Sequence, residues 1–180
     1  WTGLAKLEQI AINPNYYRWW NPKYKDYMKL QPAAFLKTLL QEDLSCLNCL
    51  SSDFMVINDV MAKYYGAPLP KSGHRFSRVP AIDGRGGILT QAAFLLAHSD
   101  GEDAHAVNRG VWLRGRLLGD PPRDPPPEVP ALSELDEGNP DAAGLSTKER
   151  LAIHRKGICL DCHGDIDSWG IPMESYDAAG

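Results

Sequence analysis

Cys159-Leu160-Asp161-Cys162-His163 is the stretch on which the reading of this chain turns. Residues three and four apart share one side of a helix, so one helical turn presents both thiols and the imidazole together. The segment ahead of it points the same way. Ser146-Thr147-Lys148-Glu149 has the form of a capping box, in which the Ser hydroxyl and the Glu carboxylate each satisfy a backbone N–H of the first turn. A helix is therefore expected from Ser146 to about Lys156, with Gly157 ending it two residues before Cys159. Working outward from this end, no strand pairing and no internal repeat is evident, and a mainly α fold is expected.

The chemistry of the run follows from its spacing. A c-type haem needs two thiols to form thioethers with its vinyl groups and one imidazole to reach the iron from the same side. Cys159, Cys162 and His163 supply that set, so one covalent haem c is expected, with His163 as the proximal ligand. Three other readings stay open: an inert buried pair of cysteines, a redox pair, and a zinc site. For zinc, Cys46-Leu47-Asn48-Cys49 offers a second Cys-x-x-Cys, and Cys46, Cys49, Cys159 and Cys162 together make a four-thiolate set. The wide separation of the two pairs in sequence argues against a compact zinc ribbon. Cys46 and Cys49 lie in an apolar segment and are expected to pack as small hydrophobes, a disulfide or a metal being the alternatives. No His follows Cys49, so no second attached haem is expected.

Composition sets the frame. A chain of 180 residues with 43% hydrophobic and 23% charged residues is long enough and apolar enough to bury a core. No apolar run reaches the roughly 18 residues of a membrane span, the longest being Ile88 to Ala97. A net charge of −4 argues against nucleic acid as a partner. From Cys159 to Gly180 there are five acids and no Lys or Arg, whereas Arg109, Arg114, Arg116, Arg150, Arg155 and Lys156 lie upstream. Haem propionates in this tail would take their cations from upstream. Attachment of haem c takes place on the exported side of a membrane, so a periplasmic or otherwise exported location is expected, as a trimmed piece of a longer chain.

Along the chain, residues 1–25 read as an aromatic arm broken by Pro14 and Pro22. A helix is expected over about Met28–Gln41, with Leu30, Phe35, Leu36, Leu39 and Leu40 on its apolar face and Pro32 near its start. A second is expected after Asp53 as cap, through Phe54, Ile57, Met61, Tyr64 and Tyr65 to Gly66. Residues 66–87 read as loop, and Ile88–Ala97 as buried helix. From Ala106 to Leu118, Val107, Val111, Leu117 and Leu118 would form an apolar face, with Arg109, Trp112 and Arg116 on another. The run Gly119-Asp120-Pro121-Pro122-Arg123-Asp124-Pro125-Pro126-Pro127 reads as a stiff polyproline strap. The expected organisation is a helical region over 1–70, then a module over 71–180 containing a Pro-rich strap at 119–130 and a haem-binding segment at 146–180.

These residues resemble a family of large exported proteins, abundant in planctomycetes, that end in a cytochrome c-like domain preceded by helical domains of unknown function. The likeness rests on His154-Arg155, the haem run, Asp167, Gly170, Glu174, Tyr176-Asp177 and Gly180. Upstream it rests on Arg85 to Gln91, Val107 to Trp112 and the Pro-rich strap, and Ile57-Asn58 with Tyr65-Gly66 resemble the end of the preceding domain. Where the family often has Asp-Pro-x-Gly, this chain has Asp167-Ser168-Trp169-Gly170.

The far side of the iron has two candidate ligands, Met173 and His154, each with a plain alternative in core packing or hydrogen bonding. Arg109, Trp112 and Arg116 are candidates to cradle the propionates or a haem edge, because Arg bonds carboxylates bidentately and Trp packs on the macrocycle. The expected function is electron transfer by a c-type cytochrome module. Its partner would be a redox protein or other domains of the same precursor. The alternatives are a peroxidase-like haem enzyme with an open distal site and the zinc-stabilised structural module. No nucleophile triad or phosphate loop stands out.

Overall fold

Asn21 and Pro22 open the first long helix, α1 (Lys23–Gln41), with the Lys23 amide donating to Asn21 Oδ1 at 3.0 Å. The computed structural model describes residues 2–124, 144, 145, 149 and 158–180, with the backbone alone at 158, 159, 161 and 162. The chain divides into two units: one runs to Ala104 and takes back Tyr176–Gly180, the other lies within His105–Ser175. The described structure is mainly helical, with one two-stranded sheet. Among the described residues no helix is long and apolar enough to cross a membrane.

Because α1 begins earlier than Met28, Pro32 sits in its interior rather than near its start, at the cost of one helical hydrogen bond. The buried stripe is Met28, Pro32, Phe35 and Leu39, whereas Leu30, Leu36 and Leu40 point outward. The expected apolar face is thus only half right.

The second expected helix is corrected more sharply. Phe54–Ile57 is a strand, β1, paired antiparallel with β2 (Ser77–Pro80) in the register Phe54↔Pro80 to Ile57↔Ser77. β2 lies in residues read as loop and alternates half-buried with exposed positions, whereas β1, in residues read as helix, is buried throughout. Both faces of β1 are covered: Met55 and Ile57 join the cluster of Met28, Met61, Ala92 and Leu96, and Phe54 and Val56 join that of Phe35, Leu39 and Ile88. Such a strand shows an unbroken apolar run instead of alternation, which periodicity does not separate from a buried helix. Phe35 stacks on Phe54 with ring centroids 5.3 Å apart.

Helix α2 is the shorter Asp59–Tyr65, and its cap is Asn58, not Asp53. Asn58 is fully buried; its Oδ1 accepts from the Met61 amide at 2.9 Å and its Nδ2 donates to the His74 carbonyl at 3.1 Å. Gly66, at φ 65°, closes the helix. The Tyr65 hydroxyl then ties three helices, donating to Gln31 Oε1 at 2.8 Å and accepting from the Ala92 amide at 2.9 Å. Ala92 begins α3 (Ala92–Ala97), which is buried throughout and fulfils the helix expected there over its last six residues.

The N-terminal arm packs through its rings. Trp20, Tyr24 and Tyr64 meet edge to face at centroid separations of 5.2–6.3 Å. The Tyr176–Gly180 tail is held by Arg85, whose guanidinium lies over the Tyr65 and Tyr176 rings and donates to the Thr90 and Gly180 carbonyls. Cys46–Cys49 forms a 3-10 turn capped by Ser45. Cys46 is exposed and Cys49 half-buried, so Cys46 is not the core residue expected, and burial pushes the Cys49 thiol up.

In the second unit, α4 (Ala106–Trp112) runs into a π-helical turn, Leu113–Leu118, that Gly119 ends. The expected faces are exchanged in part: Ala106, Arg109, Gly110, Trp112 and Leu113 are buried, Val107 and Leu117 are half-buried, and Val111, Arg116 and Leu118 are exposed. Helix α5 (Ile158–Gly170) carries the Cys-x-x-Cys-His run and continues into a 3-10 turn, Ile171–Ser175. The helix expected over 146–156 with its capping box and His154 lies outside the described residues, apart from Glu149, as does the strap beyond Asp124.

Asn58→Ala removes one orphan-amide acceptor and one buried donor together. It is expected to lower the unfolding free energy by about 1–2 kcal/mol, read as a drop in the urea midpoint with unchanged slope.

Candidate functional site

The site is built on the crossing of α4 and α5. A Cβ on Gly110 would lie 2.5 Å from the Ile166 carbonyl oxygen, and one on Gly170 would lie 1.9 Å from the Ala106 carbonyl oxygen. Two glycines, one on each helix, therefore let the backbones touch, and nothing larger fits. This contact selects the face of α5 that is buried: Ile166, Asp167 and Gly170, with Met173 just beyond.

His163 lies one turn before Ile166 and Asp167 on that same face. Its side chain is 27% exposed, and Nδ1 is 3.0 Å from Asp167 Oδ1, a carboxylate wholly shielded from solvent. A carboxylate only accepts, so Nδ1 carries the proton and donates. In the neutral ring the lone pair is then on Nε2, which has no hydrogen-bond partner among the described residues. Cys159 and Cys162 precede His163 by four and one positions on α5, so the helix backbone brings all three motif positions to one side.

Other candidate residues are distributed unevenly. Arg109 and Trp112 are both buried on α4, three positions apart. Arg109 Nη1 donates to the Met173 backbone carbonyl at 2.7 Å, linking two residues that sequence reasoning treated separately. Met173 is buried in the 3-10 turn after α5. Arg116 stands exposed on the π-helical turn, whereas Arg109 and Trp112 are buried. The acidic tail does draw on an upstream cation: Arg114 pairs with Asp120 and reaches Asp165 at 3.4 Å.

Three features escaped the sequence reading. The spacing His163-x-x-x-Asp167 was visible as an i,i+4 pair once a helix was assigned there. The Arg114–Asp165 pair and the glycine crossing had no local signal, because each joins segments far apart in the chain.

A model of the PSCyt3 family, a protein of unknown function (DUF1588), matches residues 85–180. The chain belongs to this family. A model of a second family, PSD4, also a protein of unknown function (DUF1592), matches residues 1–67. Both are planctomycete-type, cytochrome c-like domain families, so the resemblance read from the sequence holds at that level. No curated protein and no solved structure matches. The PSCyt3 match takes in α3, α4 and α5, and so includes both glycines of the crossing and the His163–Asp167 pair.

Gly170→Ala forces a methyl group into the Ala106 carbonyl. It is expected to destabilise the second unit by about 3 kcal/mol, the upper end for overpacking, because the clash is with backbone. Amide hydrogen exchange of α4 and α5 would show the loss, with the amides of α1 to α3 little affected.

Proposed function

We propose that this chain is a c-type cytochrome module that carries one covalent haem c and passes single electrons to or from a redox partner. That partner is a separate protein or another domain of the same exported precursor. The observation that carries the reading is the donor set on α5. His163 presents Nε2 while Asp167 holds Nδ1, and two cysteines stand at the preceding positions of the same helix. This set fits the haem: Cys159 and Cys162 would hold its vinyl carbons as thioethers, His163 would ligate the iron, and the group would supply one-electron redox chemistry.

Around that group, the chain's own residues bind and orient. Asp167 keeps the imidazole in one tautomer, and the Gly110–Gly170 contact fixes the helix that carries it. Arg109 and Trp112, on the buried side of α4, are the proposed neighbours of a propionate or haem edge, with Arg116 as an outer cation. Met173 and His154 are the proposed ligands for the sixth position. An exported, periplasmic location follows from the chemistry of attachment.

A second reading is favoured by one observation. A buried carboxylate on the proximal imidazole is an arrangement suited to an iron with an open distal face and peroxide chemistry. The ferric spectrum separates the two: a low-spin six-coordinate signal supports electron transfer, and a high-spin signal the enzyme.

Protein matured in a host with haem-attachment machinery is expected to give a pyridine haemochrome spectrum of one haem c per chain, retained after acid–acetone extraction. Cys159→Ser and Cys162→Ser together are expected to abolish retention. Colourless protein with stoichiometric zinc would replace this reading with the four-thiolate structural module.

A further inference from the structure

The His163–Asp167 pair does more than fill a helix surface. Exposed i,i+4 pairs are common and weak, but this carboxylate is wholly buried, and burying a carboxylate is costly unless its charge is answered. Its answer includes the ring N–H of His163 at 3.0 Å. Two physical consequences follow from that geometry. The proton is confined to Nδ1, so the lone pair is confined to Nε2. A charge-assisted bond in a shielded site also pulls the N–H proton harder than a backbone carbonyl does, which leaves the ring closer to an imidazolate and a stronger donor through Nε2.

We propose that Asp167 is the positioning residue for the proximal ligand, setting the tautomer of His163 and, through it, biasing the bound iron toward the ferric state. This rests on the reading of His163 as a haem ligand. Asp167 touches neither haem nor substrate in this assignment. It acts through His163, and the motif itself, Cys-x-x-Cys-His, does not include it. A stronger anionic donor stabilises the higher oxidation state, so the midpoint potential is held down and a vacant distal face, where there is one, is better suited to activating a bound oxidant.

The experiment uses haem-loaded full chain and the variant Asp167→Asn, which keeps the size and one acceptor oxygen but removes the charge. Haem content is measured first by pyridine haemochrome, then the midpoint potential by redox titration. The iron–histidine stretch is recorded by resonance Raman on the photolysed ferrous carbonyl adduct. With equal haem loading, the variant is expected to show an upward shift in potential and a lower stretching frequency, and Asp167→Glu to restore both in part. Equal loading with potential and frequency unchanged overturns the proposal and leaves the haem reading intact. Absence of haem from the unaltered chain overturns both. Where Asp167→Asn fails to load, the unaltered chain decides: a stretch in the range of carboxylate-bonded imidazoles supports the proposal, and one in the range of carbonyl-bonded imidazoles overturns it.

Discussion

The second unit depends on one constraint, the backbone-to-backbone contact of α4 with α5 at Gly110 and Gly170. With no side chain between them, the helices approach until the Ala106 and Ile166 carbonyls occupy the space a methyl group would take. That closeness decides which face of α5 is dry. Ile166 and Asp167 are buried on it, and His163, one turn earlier, is left at its half-open edge. The Arg109 bond to the Met173 carbonyl closes the same packing at the far end of α5, where the helix yields to a 3-10 turn.

The first unit is organised by a different device. Its strand β1 is a partition, sending Met55 and Ile57 into one apolar cluster and Phe54 and Val56 into another. Polar side chains then satisfy what the partition leaves over. Asn58 bonds the first turn of α2 and the His74 carbonyl, Tyr65 joins α1 to α3, and Arg85 holds the returning tail. Burial raises the Tyr65 hydroxyl above its ordinary pKa, so it remains a donor across the physiological range.

Both units carry ion pairs whose carboxylates lie largely in the open, and among the described residues only the second pairs a fully buried carboxylate, Asp167, with a histidine. On the first, ion pairs such as Arg78–Glu42 lie in the open, where water and salt screen them. In the second, a run of acids without a local base is answered by a side chain from upstream, Arg114 at Asp165, while His163 answers Asp167 from within the same helix.

The sequence by itself determined which thiols and imidazole share one helical turn, and the mainly helical character of the described residues. Spacing of thiols and imidazole and helix punctuation at Gly66 are local properties. It also carried the family, through short segments spread over most of its length. Tertiary structure alone decided which faces are buried. Val111 and Arg109, or Leu36 and Pro32, exchange places between expectation and structure because a helix buries whichever stripe its neighbour can approach, and that is set by a glycine or a strand elsewhere in the chain. Phe54–Ile57 became a strand for the same reason: covered on both sides, it has no alternation to read. The pairing of a buried Asp167 with His163 needed both levels, a helical spacing written in the sequence and a burial that only tertiary packing imposes.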